Sequence, residues 1–202
     1  MDTFDLYKDI QCRTNGEIYL GVVGPVRSGK STFIKRFMDV LVLPKMTDEH
    51  AKERTVDELP QSASGKSIMT TEPKFVPKEA AEIQLAKDVS VQVRLIDCVG
   101  YMVEGAAGHM ENGAERLVKT PWNEKEIPFT KAAEIGTKKV IHDHSTIGIV
   151  VTTDGSIGEL PRNSYRAAEK KTIQELKSIG KPFVVLVNTC LLYTSPSPRD
   201  VE

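Results

Sequence analysis

Apolar and polar positions along the chain fall into two repeating patterns, one typical of strands and one typical of helices. Continuous apolar runs of strand length predict buried strands over 17–23, 146–152 and 183–187. Apolar residues spaced three or four positions apart predict amphipathic helices over 32–41, 129–141 and 164–179. Strands that alternate with helices favour a mostly parallel sheet flanked by helices, with ligand sites at the carboxyl ends of its strands.

Other stretches modify this α/β pattern. Two shorter apolar runs, 82–85 and 91–96, are separated by a charged pair, which predicts a hairpin and therefore one antiparallel strand in the sheet. The preceding stretch, 68–77, contains two prolines that favour an extended backbone. The polar stretch 47–54 predicts a short exposed helix.

Residues 24–31, Gly-Pro-Val-Arg-Ser-Gly-Lys-Ser, fit the phosphate-binding P-loop pattern G-x-x-x-x-G-K-[ST]. A predicted strand precedes the motif and a predicted helix follows it, which is the context that a P-loop requires. Its glycines let backbone N–H groups turn inward around phosphates, and the helix N-terminus adds partial positive charge. Lys30 would then reach the β- and γ-phosphates, and Ser31 would offer its hydroxyl to Mg²⁺. The predicted nucleotide contacts are Gly24, Pro25, Val26, Arg27, Ser28, Gly29, Lys30, Ser31 and Thr32, with Gly100 from a second motif.

That second motif is D-x-x-G, formed by Asp97 and Gly100 at the end of a predicted strand. Its carboxylate is expected to hold Mg²⁺ through water, and its glycine N–H to approach the γ-phosphate. Between the two motifs, either Thr70 or Thr71 is expected to close over the nucleotide and give its hydroxyl to Mg²⁺. This order is that of switch-type P-loop NTPases. The predicted catalytic residues are Lys30, Thr70, Thr71 and Asp97, and the predicted magnesium residues are Ser31, Thr70, Thr71 and Asp97.

Several further residues are also considered for a role at the site. The stretch 101–129 has no clear period and predicts a mobile nucleotide-sensing region followed by an ordered turn. Tyr101 follows D-x-x-G where some GTPases carry Gln, so no general base is evident and hydrolysis is expected to be slow. Arg27 is equally compatible with a phosphate contact and with a solvated side chain. His142 and His144 are interpreted as surface residues because no third metal ligand lies nearby.

The base is predicted from the strand that ends at Asn188. GTP-binding switch proteins place N-K-x-D there, and the aspartate accepts two hydrogen bonds from guanine. Here Thr189 replaces the lysine, which favours ATP. Two alternatives remain, a GTP-dependent switch whose base-recognition residues lie beyond this chain, and a scaffold that binds nucleotide without hydrolysing it.

Composition narrows the class of protein. The 202 residues suffice for one domain, and 40% hydrophobic with 27% charged residues is typical of a globular protein. A net charge of −1 gives no indication of a nucleic-acid partner. No apolar run approaches membrane-spanning length, and the acidic N-terminus lacks a signal-peptide pattern. Three scattered cysteines fit a reducing cytosol.

Four segments, 19–34, 69–77, 95–101 and 144–155, resemble the stage IV sporulation protein A family. The resemblance implies a morphogenetic ATPase of endospore-forming bacteria, derived from the translation-factor-like GTPase class but using ATP. Members polymerise in the mother cell on the outer surface of the forespore, as the basement layer of the spore coat. In this resemblance Lys30 belongs to the Walker A motif, Thr70 and Thr71 are sensor threonines, and Asp97 is the Walker B acid.

Polar composition at the start, the motifs of the middle and an atypical end predict a division of the chain. Residues 1–15 are expected to be a lead-in, 16–189 an ATPase domain incomplete at its C-terminus, and 190–202 a non-native tail similar to translated adapter DNA. The family's middle and C-terminal assembly domains would then be absent. By resemblance, the partners are further copies of the protein, other coat morphogenetic proteins and a small membrane-bound amphipathic peptide, and the location is cytoplasmic.

Overall fold

The computed structural model describes residues 16–60, 71–86, 89–106, 108–111 and 113–190. The predicted lead-in, Thr70 and residues 191–202 lie outside these ranges. The strands are β1 (Glu17–Val23), β2 (Lys74–Ala86), β3 (Val89–Asp97), β4 (Met110–Glu111), β5 (Ala114–Glu115), β6 (Leu117–Thr120), β7 (Asn123–Pro128), β8 (Ile147–Thr153) and β9 (Phe183–Asn188). The α-helices are α1 (Lys30–Phe37), α2 (Glu49–Glu58), α3 (Phe129–Lys139) and α4 (Arg162–Ser178).

A five-stranded sheet with the order β2-β3-β1-β8-β9 forms the centre of the fold. The pairs β1–β3, β1–β8 and β8–β9 are parallel, and β2 is antiparallel to β3. The mixed α/β fold with a mostly parallel sheet is therefore confirmed, as is the antiparallel hairpin strand. Parallel strands place their carboxyl ends at one edge, so residues that follow β1, β3, β8 and β9 converge there.

Side chains of the central strand β1 alternate between two separate cores. Leu20 and Val22 of β1 pack on one face with Ile34 of α1 and the residue that follows that helix, Met38. Val23 packs on the opposite face with residues of α4 and of the turn after α3. Because successive strand side chains point to opposite faces, helices are needed on both sides to bury them.

Two helices continue beyond their α-helical part as turns of other types. After α1 the chain forms a π-helical turn, Met38–Val42, and then a 3-10 turn, Leu43–Lys45, that contains Pro44. After α3 a second π-helical turn spans Val140–His144. The ammonium group of Lys181 donates hydrogen bonds to the carbonyls of Ser145 (2.5 Å) and Ile141. This cation satisfies carbonyl groups that have no partner within the helix.

The stretch 101–129 contains two small hairpins that the sequence did not predict, β4–β5 and β6–β7. Their strands are too short for an apolar period to develop. Arg116 between the hairpins lies over the Phe129 ring, with 4.5 Å from its guanidinium carbon to the ring centroid. The predicted mobility of this stretch stays a prediction.

Strand β9 is present, but the prediction that it is buried is wrong for the described part of the chain. Its central apolar residues are 36–58% exposed: Val184, Val185, Leu186 and Val187. The strand lies at one edge of the sheet, and the described part of the chain leaves both of its faces largely uncovered. Apolar sequence alone does not distinguish a central strand from an outer one.

Among the described residues, no helix is both long and apolar enough to cross a membrane.

Candidate nucleotide site

The two sequence motifs meet at the carboxyl edge of the sheet. Parallel pairing sets Val22 of β1 opposite Asp97 of β3, so the P-loop and the D-x-x-G motif leave neighbouring strands at the same level. The backbone N–H of Tyr101 donates to the carbonyl of Gly24 at 3.1 Å, and that of Val26 donates to the carbonyl of Tyr101 at 2.8 Å. These two bonds fix the motifs relative to each other.

Gly100 is required by this close approach. Its φ is 94°, and a Cβ there would lie 2.2 Å from the Gly24 carbonyl oxygen and 2.7 Å from the Lys30 amine. No L side chain fits at such distances, and the left-handed backbone favours glycine as well. The structure therefore brings Gly100, the loop and Lys30 together.

The other end of the P-loop is held by Asn188 at the end of β9. Its side-chain amide donates to the carbonyl of Ser28 at 3.3 Å. A Cβ on Gly29, whose φ is 92°, would lie 2.3 Å from that amide nitrogen. The loop is thus fixed by the chain after β3 on one side and by the end of β9 on the other. Thr32, a further predicted nucleotide contact, is exposed in the first turn of α1.

Lys30 is enclosed by the loop, since the residue is only 5% exposed. Its ammonium group donates to the Pro25 carbonyl at 2.6 Å. Burial lowers the pKa of Lys30, and the charge of Asp97 partly opposes this effect. A buried ammonium group gains more from a charged acceptor than from a carbonyl, so a phosphate oxygen in the loop would bind it strongly.

Ser31 and Asp97 form the oxygen-rich part of the site. The Ser31 hydroxyl donates to Oδ2 of Asp97 at 2.7 Å. Oδ1 of Asp97 is buried and has no hydrogen-bond partner among the described residues. Burial raises the pKa of Asp97, and the Ser31 hydrogen bond and the Lys30 charge oppose that rise. A hydroxyl beside a carboxylate oxygen without a partner fits Mg²⁺, which prefers oxygen ligands.

Of the two predicted sensor threonines, the structure describes Thr71. Thr71 is buried at 5% exposure and precedes β2, whose first residue, Lys74, pairs with Asp97. Thr71 therefore belongs to the edge where the P-loop lies. Its carbonyl packs against α3, because a Cβ on Gly136 would lie 2.6 Å from it. Thr70 falls outside the described residues, so the choice between the two threonines stays open.

The Tyr101 backbone bonds to the P-loop, but its ring packs beneath Lys171 of α4. The residue is 3% exposed, and its hydroxyl is buried with no partner in the described part of the chain. Burial raises the pKa of Tyr101. The Lys171 ammonium lies 4.7 Å from the ring centroid and 2.9 Å from Glu134, which joins α3 to α4. No pattern in the sequence indicated this role for Lys171.

A second group missed by the sequence analysis lies at the ends of β8 and β9. The Asp154 carboxylate accepts hydrogen bonds from the Ser156 hydroxyl at 2.6 Å and from the Thr189 hydroxyl at 2.5 Å. These bonds, that of Ser156 first, lower the pKa of Asp154 to about 2. Thr189, which replaces the lysine of N-K-x-D, therefore joins the two loops. An Asp-Gly pair after an apolar strand indicated a turn, but not its partner.

His142 and His144 contact residues outside this site. His142 Nε2 lies 3.2 Å from a carboxylate oxygen of Glu175 on α4. The ring of His144 packs edge-on against Phe75, with 5.7 Å between the ring centroids. Both contacts are structural ones.

Comparisons with known proteins identify the family of the chain. The family model described as the ATPase domain of stage IV sporulation protein A matches residues 1–199. The stage IV sporulation protein A of Clostridioides difficile (strain 630) is 60% identical over 185 residues, which cover 92% of this chain and 38% of that protein. Those of Bacillus anthracis and Bacillus subtilis (strain 168) are each 55% identical over 193 residues, 96% of this chain and 39% of theirs. The chain thus spans less than half the length of these relatives. On the strength of the family match and these identities, it belongs to the stage IV sporulation protein A family and contains that family's ATPase domain.

Proposed function

We propose that the chain binds Mg²⁺ and ATP at the P-loop edge and hydrolyses ATP slowly, and that hydrolysis drives self-assembly of the protein into the basement layer of the spore coat. The observation that carries the enzymatic part is the cluster of Lys30, Ser31 and Asp97 under a loop fixed at both ends. The sheet order, with one antiparallel strand beside β3, supports assignment to the translation-factor-like class of P-loop NTPases.

Each residue of the cluster has a distinct task. The loop N–H groups and Lys30 hold the β- and γ-phosphates and neutralise their charge. Ser31 and Asp97 hold Mg²⁺, which would supply further charge neutralisation on the phosphate oxygens. Gly100 lets the D-x-x-G backbone approach the loop. Thr71, or Thr70, would close over the nucleotide from the β2 side.

Slow turnover follows from the residues that surround the γ-phosphate position. Tyr101 follows D-x-x-G, but its ring is packed under Lys171 and its hydroxyl is buried. It is therefore poorly placed to orient an attacking water. Hydrolysis then depends on positioning and charge neutralisation without a general base.

The preference for ATP is supported by the loop after β9. Asn188 is used for a hydrogen bond to the P-loop, and the Thr189 hydroxyl is used for one to Asp154. A short hydroxyl side chain held in this way cannot extend over a purine as a lysine does. The lysine that GTP-binding switch proteins carry at this position is absent.

The assembly part of the proposal is supported by the family and by length. The relatives of this chain are named for a stage of sporulation, and the chain matches only 38–39% of their length. We place assembly contacts, contacts with other coat proteins and docking on a membrane-bound amphipathic peptide in the remainder of such proteins. The location would be the mother-cell cytoplasm at the forespore surface.

Nucleotide competition and phosphate release test the enzymatic part. We expect ATP to displace a fluorescent nucleotide at lower concentration than GTP, and slow phosphate release that Lys30→Ala abolishes. Lys177→Ala, on the exposed side of α4, is the matched control and should behave as the unmodified protein. Preference for GTP would instead support a GTP-dependent switch. Binding without phosphate release would support a scaffold.

The link between hydrolysis and assembly needs a variant that binds but does not hydrolyse. In a full-length protein of this family that carries these residues, Thr70→Ala combined with Thr71→Ala should bind ATP, release no phosphate and fail to sediment as polymer. Normal polymerisation of this double variant with ATP would refute the link while leaving the ATPase proposal intact.

A further inference from the structure

Arg27 has a backbone conformation that sets it apart in the P-loop. Its φ is 59°, and among the described residues it is the non-glycine residue with positive φ. Gly29, two positions later, reaches a similar region with φ 92° and pays no steric penalty for it. A bulky L residue in this region is strained, and such strain persists mainly at functional sites.

The strained backbone has a clear use. Left-handed residues within a turn direct successive N–H groups into a concave cradle that binds anions. The backbone at Arg27 and Gly29 therefore suits phosphate binding, and a glycine at position 27 would form the same cradle without strain. What arginine adds at this position is its side chain.

The Arg27 side chain is exposed, unlike most of the loop around it. Arg27 is exposed, whereas Gly24, Pro25, Val26, Ser28 and Lys30 are buried. Its neighbours are fixed, Val26 by the hydrogen bond to Tyr101 and Ser28 by that from Asn188. A rigid backbone thus carries a long cationic side chain beside the phosphate cradle.

The two cations of the loop occupy different places. The Lys30 ammonium is enclosed and bonded to the Pro25 carbonyl. The Arg27 charge affects Tyr165, a residue of α4. Burial raises the pKa of Tyr165, and the Arg27 charge opposes that rise. Arg27 therefore has a position near Tyr165 in the structure, from which its several rotatable bonds allow it to reach the phosphate cradle.

We propose that Arg27 is a catalytic residue whose guanidinium binds the phosphates in the transition state of ATP hydrolysis. The water oxygen bonds to the γ-phosphorus while the bond from that phosphorus to the β–γ bridging oxygen breaks. The electron pair of the broken bond stays on ADP. One water proton remains on the released phosphate and the other passes to solvent. Arg27 neutralises the charge that gathers on the bridging oxygen, which compensates for the missing general base. This inference rests on the proposed ATPase function.

The test compares binding of ADP with binding of ADP–aluminium fluoride, a mimic of the transition state. Arg27→Asn removes the charge but keeps a residue that tolerates the left-handed backbone. We expect this variant to bind ADP–aluminium fluoride at least about 100-fold more weakly and to lose about as much in kcat. Its affinity for ADP should match that of Arg54→Asn, an exposed control on α2.

Rescue experiments distinguish loss of the Arg27 charge from a change in the structure of the P-loop. Added guanidinium ion at millimolar concentration should restore part of the phosphate release of Arg27→Asn, and should leave Arg54→Asn unchanged. Equal loss of ADP and ADP–aluminium fluoride binding in Arg27→Asn would overturn the inference, because Arg27 would then act in ground-state binding or loop structure. Unchanged binding of both would overturn it as well. If the unmodified protein binds neither ATP nor ADP, the proposed function itself fails.

Discussion

The Ser31 hydroxyl donates a hydrogen bond of 2.7 Å to one oxygen of the Asp97 carboxylate, and the other oxygen of Asp97 is buried without a partner among the described residues. These residues are 66 positions apart in the sequence. Parallel pairing of β1 with β3 brings them together, because Val22 and Asp97 lie opposite each other. The same contact motivates the first prediction.

Asp97→Asn should weaken Mg²⁺-dependent binding of ATP by about 10- to 100-fold, the range for loss of a group that orients metal-bound water. The amide keeps the size of the side chain and can still accept from Ser31, but it cannot carry the charge that attracts Mg²⁺. The measurement is a Mg²⁺ titration of ATP binding. Asp143→Asn, an exposed carboxylate beside Lys139, is the control and should not change the titration. Equal Mg²⁺ dependence in both variants would contradict the site.

Gly100→Ala should lower the free energy of unfolding by more than about 2 kcal/mol and abolish nucleotide binding, because a Cβ would collide with the Gly24 carbonyl. Gly113→Ala separates strain from collision, since φ there is 81° and nothing lies within 4 Å of the added carbon. We expect this control to lose only about 1 kcal/mol. Chemical denaturation and a nucleotide-binding assay measure both effects. Similar losses in the two variants would show that the close approach of Gly100 to the loop is unimportant.

Tyr101→Phe should raise the free energy of unfolding by about 1 kcal/mol, because it removes a buried hydroxyl that has no partner in the described part of the chain. The ring and its contact with Lys171 remain. Phosphate release should be unchanged if Tyr101 takes no part in orienting water. Tyr101→Leu, which removes the ring, should instead be destabilising. A tenfold fall in kcat for Tyr101→Phe would place its hydroxyl in the reaction.

Glu169→Gln should lower the free energy of unfolding by about 1–3 kcal/mol at neutral pH. Its carboxylate accepts from both terminal nitrogens of Arg162, at 2.6 and 2.9 Å, and from the Thr152 hydroxyl at 2.6 Å. The Arg162 hydrogen bond is the main reason that the pKa of Glu169 is lowered.

The lowered pKa of Glu169 determines how the stabilisation by its carboxylate depends on pH. The stabilisation is present above the pKa of about 4.3 for an unfolded glutamate and is lost as pH falls through the lower value in the folded state. The difference in unfolding free energy between unmodified protein and Glu169→Gln should therefore shrink on acidification below about pH 4. Glu49→Gln, in an exposed ion pair with Lys52, should show little difference at any pH. A pH-independent difference for Glu169→Gln would contradict the ionic contribution.

The contacts between distant elements needed the structure. Asn188 follows a strand in the sequence, but its hydrogen bond to Ser28 spans 160 residues and depends on the order of strands in the sheet. Lys171 is one of several charged residues on α4, and only packing of α3 against α4 sets it over the ring of Tyr101. The exposure of Val184 and Val187 likewise depends on which elements pack over β9, because the described part of the chain leaves both faces of that strand largely uncovered.

The sequence by itself determined the P-loop, the D-x-x-G motif, the alternation of strands and helices and the family, because each depends on residue type and on spacing within a short segment. Its period also predicted α4 over 164–179, close to the observed Arg162–Ser178. Tertiary structure alone decided which side chains meet at the carboxyl edge of the sheet, and it alone revealed the strained backbone of Arg27. Register and strand order depend on how helices pack on both faces of one sheet. They involve residues far apart in the chain, so no short sequence pattern predicts them.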